Sequence, residues 1–294
     1  MFKLRITPEF SEWFGAWIGD GDHSSIRRLA LSNQVVELLH LHIKILTEYF
    51  NFPRERILAE VTTSSLDDNQ IIRDRWSKLL LLPLQNIRTI NRNPIARKEC
   101  ARVMANNVEI TKFVRNNIST IRKRILNSNN EIMCAYLMGI FAAEGNVRTE
   151  KHQKHVRLGM KTIEDIDFAK LLLEKIGIET KLAINTSNDC YELSIFGYEN
   201  LLKFRDFGGF GKHESKNIIL NRQLSTYGKF PWSYRYQCLE AVLRNVNTIT
   251  NYDAVNIFDM NYHNAKLMLS RFSKQGKLSV DKTNKTYTYK LKEI

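Results

Sequence analysis

Two nine-residue stretches share one pattern of apolar and polar positions. Trp13-Phe14-Gly15-Ala16-Trp17-Ile18-Gly19-Asp20-Gly21 and Leu137-Met138-Gly139-Ile140-Phe141-Ala142-Ala143-Glu144-Gly145 both read apolar, apolar, Gly, three apolar, small, acid, Gly. Self-similarity of this kind decides architecture before any local propensity does. Each stretch is followed by an alternating strand pattern, 27–31 in one copy and 156–160 in the other. Then come apolar residues at helical spacing: Val35, Leu38, Leu39, Ile45, Leu46 and Tyr49, matched by Ile166, Ala169, Leu172, Leu173 and Ile176. Further strands are predicted at 56–62 and 84–90, and at 180–185 and 191–196. Helical material closes each copy, 96–126 and 199–207. The reading is an α+β fold of tandem αββαββα repeats related by a pseudo-twofold axis, each with one sheet and its helices on one face.

The pattern breaks around Gly228-Lys229-Phe230-Pro231, and Trp232 opens a new apolar helix over 234–243. Two more helices, 250–258 and 262–275, are separated by Asp259-Met260-Asn261, and Gly276 stops the second. A strand at 278–280, a polar turn over 281–285 and a strand at 286–291 complete a small winged helix-turn-helix pattern. The expected division is 1–128 for the first repeat, 129–229 for the second and 230–294 for the C-terminal module.

The paired motifs carry the chemistry. Thr7 is placed to cap a helix beginning at Pro8, and Asn129 or Asn130 one beginning near Glu131. Phe10, Trp13, Phe14, Ala16, Trp17 and Ile18 leave the first helix almost no polar face, so it belongs in the core, as does its twin over 133–143. Glycine at Gly15 and Gly139 allows two such helices to approach closely. Parallel packing then sets Asp20 and Glu144 side by side at the helix C-termini, where two carboxylates and the unpaired terminal carbonyls accumulate negative charge. A divalent cation resolves that conflict, and hard oxygen ligands suit Mg²⁺, with Mn²⁺ as a substitute. Metal-activated water and a stabilised leaving oxygen are the parts of phosphodiester hydrolysis.

These motifs resemble the LAGLIDADG motif of homing endonucleases, and the repeat pattern extends the resemblance over about 8–227. The resemblance implies that Gly15 and Gly139 lie at the helix contact and that Asp20 and Glu144 bind metal, with the main-chain carbonyls of Gly19 and Ala143 completing the coordination. It also implies a basic or polar residue beside the metal water, for which Lys161 is the candidate and Ser32 its counterpart. The family's frequent acid at the sixth position is replaced here by Ile18 and Ala142. In this family curved sheets enter the major groove, which gives Arg27, Lys154, Arg157 and Lys161 on first strands, Arg88 and Arg92 on a later strand and turn, and Lys181 as candidate DNA contacts. Lys266 and Arg271 on the second helix of the C-terminal module, and Lys282 and Lys285 on its wing, extend the set.

Charge supports the polyanionic partner. Lysine and arginine number 44 against 31 aspartates and glutamates, a net charge of +13, and such a balance favours double-stranded DNA through counterion release. No apolar signal core, membrane anchor or disulfide framework is evident, and Cys100, Cys134, Cys190 and Cys238 read as small core residues of a monomeric intracellular protein. His152-x-x-His155 reads as a pair of solvated loop histidines, and Gly208-Gly209-Phe210-Gly211-Lys212 as a flexible turn without phosphate-loop spacing. No splice signals mark the chain as an intein, and a free-standing or intron-encoded nuclease fits better. The expected activity is site-specific, metal-dependent double-strand DNA cleavage. The rival is a cleavage-inactive DNA-binding regulator or RNA-splicing maturase built on the same fold.

Overall fold

The computed structural model describes residues 2–148, 154–185, 189–225, 232–258, 260–283 and 287–292. His152, the segment 228–231, Asp259, Lys285 and Thr286, all used above, lie outside the described residues. Two compact units are present, Met1–Leu220 and Asn221–Ile294. The division falls nine residues before the boundary expected at 229/230.

In the larger unit, helix α1 (Pro8–Asp20) starts as its residues dictate: Pro8 fills the first helical position, and the Thr7 hydroxyl accepts the Phe10 N–H at 3.2 Å. Its twin α6 (Asn130–Glu144) is capped by Asn129, whose side chain accepts the Ile132 N–H at 3.1 Å. Both helices stop at the residue after the acid, where the chain turns out in extended conformation at Gly21 and Gly145. Glycine is needed there because the turn is tight. A Cβ on Gly21 would stand 2.2 Å from the Trp17 carbonyl oxygen, and one on Gly145 2.5 Å from that of Phe141.

The two helices pack parallel, back to back, with no side chain between them at the glycines. A Cβ on Gly15 would lie 2.2 Å from Tyr136 O, and one on Gly139 only 1.9 Å from Glu12 O. The Ser11 hydroxyl crosses the seam to Ile132 O at 2.8 Å. Around the seam Phe10, Trp13, Phe14, Trp17, Tyr136 and Phe141 are fully buried. Trp13 donates its indole N–H to His42 Nδ1 at 2.8 Å. Burial holds the His42 imidazole down to about 3, so the ring stays neutral and accepts that bond.

Each helix is followed by a four-stranded sheet. In the second repeat β5 (Gly145–Arg148), β6 (His155–Met160), α7 (Ile163–Lys175), β7 (Thr180–Asn185), β8 (Cys190–Phe196) and α8 (Tyr198–Asp206) follow the αββαββα order, and the antiparallel sheet runs β5-β6-β8-β7. The first repeat has β1 (Leu29–Asn33), α2 (Val36–Lys44), β2 (Leu58–Thr63), α3 (Asn69–Leu80), β3 (Ile87–Arg92), β4 (Cys100–Ala105), α4 (Val108–Asn116) and α5 (Ile118–Leu126), with sheet order β1-β4-β2-β3.

Two features of the first repeat depart from the sequence reading. The partner of β1 and β2 is β4, in a segment read as the start of a long basic helix, whereas the strand predicted at 84–90 became β3, a parallel addition outside β2. Parallel pairing requires a crossover, and α3 supplies it. The strand at β4 is short and its cationic Arg102 resembles the helical charges downstream, while Ala101 and Val103 are buried only because β1 and β2 flank them. The counterpart of β5 is reduced to a single bridge, Gly21 to Leu31. Arg27 accordingly sits in an exposed bend before β1, not in the strand.

The turn over 208–212 is not a loose one. Gly208, Gly209 and Gly211 have φ of 110°, 56° and 49°, Phe210 is fully buried, and a Cβ on Gly208 would meet Met138 Sδ at 2.1 Å. Asn217, from helix α9 (Glu214–Ser225), ties the turn by accepting from Phe210 N and donating to Gly211 O, both at 2.9 Å. Lys212 pairs with the buried Glu12 of α1 at 2.7 Å. The sequence read flexibility from glycine content, but those glycines serve left-handed backbone and close approach.

The smaller unit contains α10 (Trp232–Val246), β9 (Ile249–Thr250), α11 (Asn251–Phe258), α12 (Tyr262–Lys274), β10 (Leu278–Asp281) and β11 (Thr288–Leu291). Its sheet runs β10-β11-β9, and Leu239, Leu243, Phe258, Leu269, Phe272 and Tyr289 belong to its own core.

The helix seam makes a direct prediction. Gly139→Ala places a methyl group against backbone that cannot move without parting the helices, so it destabilises by about 3 kcal/mol or more, the upper end of overpacking costs. Gly159→Ala, where a Cβ meets nothing within 4 Å, is the control. Urea unfolding of the two variants checks the difference, and equal stabilities would refute the tight seam.

Candidate metal and nucleic-acid site

Because the helices touch at Gly15 and Gly139, their C-terminal residues also meet. A Cβ on Gly19 would be 2.6 Å from Ala143 Cβ and 3.0 Å from Glu144 Cγ. Asp20 and Glu144 therefore share one strip of the molecule, as the motif pair predicts. Asn33, at the end of β1, donates to Asp20 Oδ2 at 2.6 Å and fixes that carboxylate.

Electrostatics follow from the crowding. Burial pushes Glu144 up to about 7, and the neighbouring Asp20 charge adds to the rise, against the opposing pull of Lys216. Asp20 rises to about 6, mainly through burial, with Lys216 and the Asn33 hydrogen bond holding it down. Both acids thus hold protons closer to neutrality than exposed carboxylates do. Lys216, brought in by α9, shares the site: its Nζ donates to Ala142 O at 2.8 Å and Ala143 O at 3.2 Å. Burial lowers it to about 8 although both acids support its charge.

The acid pair opens on two sides. One cleft, about 770 Å³, is lined by Gly19, Glu144, Lys161, His23 and Cys190. The other, about 260 Å³, is lined by Asp20, Ala143, Ser32, Lys98, Cys100 and Lys216. Lys161, exposed just after β6, and Ser32 lie on opposite sides but are not counterparts: Gly21 bridges to Leu31 as Gly145 pairs with Leu158, so Ser32 matches Gly159 and Lys161 matches Gln34. Cys100 and Cys190 begin β4 and β8 and do correspond. The cysteines are free, but only Cys134 is fully within the core. The expectation of four core cysteines fails: Cys100 and Cys190, each the first residue of a strand, lie at the sheet rim, and Cys238 on α10 packs only partly against the core of the smaller unit. Among the described residues no group of three or more His, Cys, Asp or Glu could hold a metal, so a cation here would be held by the two carboxylates with main-chain carbonyls, waters or phosphate oxygens.

On the first sheet Ser32, Arg102, Glu60 and Thr89 stand in register across β1, β4, β2 and β3. On the second, Asn146, Arg157, Ser194 and Lys181 stand in register across β5, β6, β8 and β7. Several candidate DNA contacts are engaged within the protein. Arg157 pairs with Glu192 at 2.6 Å, and Asn185 joins the same carboxylate at 2.6 Å. Arg92 donates to Asn69 Oδ1 at 2.7 Å and to the carbonyls of Ser65 and Asp67, so it organises the start of α3. Arg88 is exposed on β3. Lys181 is exposed on β7, its ammonium 5.5 Å from the Phe196 ring. Lys154 is half-buried before β6. In the smaller unit Lys266 and Arg271 are exposed on α12, and Lys282 is exposed beside the Tyr287 ring at 5.7 Å. His155 is not a solvated loop residue. It lies buried in β6 against Phe196, ring centroids 4.7 Å apart, because the strand begins one residue earlier than the pattern 156–160.

Four site residues escaped the sequence reading: Asn33, Lys98, Arg102 and Lys216. Arg102 binds Asp22, which also pairs with Arg28 at 3.0 Å. Although burial alone would raise the Asp22 carboxyl, hydrogen bonds from Ser24 and Arg28 and the Arg102 charge hold it well below the usual carboxylate range. Recognising β4 as the strand equivalent to β8 would have exposed Arg102 and Lys98. Nothing local marks Lys216, which lies 72 residues beyond Glu144 in the chain.

Residues 131–207 match the family model described as a LAGLIDADG-like domain. A curated relative, the isomerizing glutamine–fructose-6-phosphate aminotransferase of Methanocaldococcus jannaschii, is 27% identical over 229 residues. That is 75% of this chain but 18% of the relative, so its name describes a far longer protein than the part matched. Among solved structures, I-DmoI in complex with DNA and Mn aligns at 14% identity and TM-score 0.42 over 69% of this chain and 97% of that one. Full-length DUF199/WhiA from Thermatoga maritima aligns at 14% identity and TM-score 0.42, covering 93% of each chain. The assignment rests on the family match and the helix pair rather than on these distant superpositions. Residues 131–207 thus carry a LAGLIDADG-like domain, and the first repeat shows the same glycine-bearing helix, terminal acid and four-stranded sheet.

Proposed function

We propose that this protein is a site-specific, divalent-metal-dependent endonuclease that hydrolyses both strands of a long DNA target. The observation that carries the proposal is the contact of two helix C-termini that crowds Asp20 and Glu144 together, with both carboxyls raised by burial. The donor set fits a hard cation: two carboxylates and main-chain carbonyl oxygens, with no nitrogen or sulfur ligand needed. Gly19 and Glu144 line one cleft, Asp20 and Ala143 the other, so each acid is paired with the carbonyl of the opposite motif. A bound Mg²⁺ or Mn²⁺ would supply an activated water and charge stabilisation at the phosphate. Asn33 orients Asp20, while Lys161 and Lys98 provide cationic groups at the mouths of the two clefts for phosphate oxygens. The sheet rows through Arg102 and Lys181 supply polar and cationic groups of the kind that read a major groove.

The C-terminal unit, with its helix-strand-helix-helix-strand-strand order, is read as a winged-helix module that lengthens the DNA site through Lys266, Arg271 and Lys282. The protein is read as a monomer, since both motifs sit in one chain. None of its described helices is long and apolar enough to cross a membrane.

A second reading is favoured by one observation: Lys216 already contacts the carbonyl of Ala143. A cleavage-inactive DNA-binding regulator, or an RNA-splicing maturase, would retain the fold and the acids without turnover. Incubating a randomised duplex library with Mg²⁺ and the wild-type chain separates these readings. Asp20→Asn and Glu144→Gln each lower cutting by roughly three orders of magnitude, the several kcal/mol that a bound metal contributes to such a transition state. DNA capture by the wild type with no cut at any Mg²⁺ or Mn²⁺ concentration would establish the regulator instead.

The pH dependence has a definite sign. The ionised carboxylates are the metal ligands, and protons compete with the metal below about 7 for Glu144 and about 6 for Asp20. Mn²⁺ affinity, measured by titration calorimetry, falls as pH drops through that window, by roughly tenfold per pH unit for each proton displaced. A flat profile between pH 8 and 5.5 would exclude the pair as ligands.

The C-terminal module has its own test. Lys266→Ala with Arg271→Ala weakens DNA binding and reduces the slope of log affinity against log salt by about 2, near 0.9 for each lost phosphate contact. Fluorescence anisotropy on a fixed duplex reads both, and an unchanged slope removes α12 from the interface.

A further inference from the structure

The two halves of the acid site match in backbone but not in chemistry. On the Glu144 half, Ile18 O is approached by the His23 ring, Nε2 at 3.1 Å, and the cleft that includes Gly19 is the larger of the two. On the Asp20 half, the corresponding carbonyls of Ala142 and Ala143 receive the ammonium of Lys216. An ammonium there meets three sources of negative potential at once: two helix-terminal carbonyls, the Asp20 carboxylate and the Glu144 carboxylate.

Lys216 is held in place rather than resting on the surface by chance. Its helix α9 is anchored by the Asn217 bridge to Phe210 and Gly211, by the buried His213, and by the Lys212 pair to Glu12 of α1. The Lys216 ammonium itself lies 5.8 Å from the centroid of the buried Phe210 ring. The titratable groups facing it are Asp20 and Glu144 from the helix ends, Lys98 from the segment before β4 and His213 just before α9, whose imidazole is kept neutral by burial and by Lys216. Two cations cannot share the Ala143 carbonyl, because a divalent ion within a few ångströms of an ammonium is strongly repelled.

We propose that Lys216 is a resident cation for the Asp20 half of the site, so that a divalent metal enters freely only at the Gly19–Glu144 half and must displace Lys216 to reach the other. The inference rests on reading the acid pair as a metal centre. Its consequence for the reaction is inequality between strands: the strand served by the Glu144 half is cut first, and the second cut waits for Lys216 to leave. Lys216 is thus a positioning residue, acting through the acids and the carbonyl it occupies.

The test uses the full chain and does not depend on turnover. In EDTA, a thermal double-mutant cycle of Lys216→Met and Asp20→Asn reads the charge coupling between them directly. Lys216→Met lowers the melting temperature in the wild-type background and by clearly less beside Asp20→Asn, while Lys216→Arg, which keeps the charge, preserves it. Additive shifts would overturn the proposal. Mn²⁺ counted by electron paramagnetic resonance at pH 8 gives one tightly held ion per wild-type chain and two per Lys216→Met or Lys216→Gln chain. Two equivalent ions on the wild type would overturn it as well. Coupling in the thermal cycle with no Mn²⁺ on any variant would support Lys216 as the site's own cation while sinking the nuclease reading. The two ideas therefore fail separately.

Discussion

Everything in the larger unit depends on the backbone contact between two parallel helices. Gly15 against Tyr136 O and Gly139 against Glu12 O leave no room for a Cβ on either side. Such packing gains dispersion contacts over the full length of both helices and removes their apolar surfaces from water together. It also determines what lies at the ends. Once the middle of the seam is this close, the terminal carbonyls and the acids that follow have nowhere else to go, and like charges gather where solvent is scarce. The functional site is a consequence of the packing rather than an addition to it.

The same constraint explains why so many polar groups around the seam are paired. Glu12 is buried beside the crossing and is met by Lys212. Asp22, immediately past the motif, is held by Arg28 and Arg102. Asp20 is held by Asn33, and the carbonyls at the end of α6 by Lys216. Buried charge is tolerated only with a partner, and the partners arrive from five separate parts of the chain: Arg28 before β1, Asn33 on β1, Arg102 on β4, Lys212 in the turn and Lys216 on α9. The glycine-rich turn over 208–212 is the least obvious of these devices, because its left-handed residues aim α9 and its lysine at the helix ends.

The two repeats have diverged at their edges while keeping their centre. In the second repeat β5 forms a full strand, whereas the first keeps one bridge in its place and adds a helix and a parallel strand on the far edge. Edges carry little of the packing that a sheet centre must satisfy, so insertions there are tolerated. The outcome is one sheet extended by Arg88 and Arg92 and another ending at Lys181, two unequal surfaces on a symmetric frame.

What the chain declares locally is the repeat, the caps at Thr7 and Asn129, the buried helices and the two acids, since each depends on neighbours a few residues away or on a pattern recurring in the sequence. Helix periodicity also carried α7, α8 and the three helices of the smaller unit to within a few residues, though not the short strand β9. Tertiary structure alone decided three things. The strand at β4 exists because β1 and β2 accept its ladder, so its short pattern was outweighed by the basic helix after it. Arg92 and Arg157 became internal ties because Asn69 and Glu192 lie within reach in space, 23 and 35 residues away in the chain. Lys216 reached the acids through a turn whose geometry no spacing rule encodes. Pairing between distant charges depends on where the backbone carries them, and that path is set by the packed core rather than by the residues that meet.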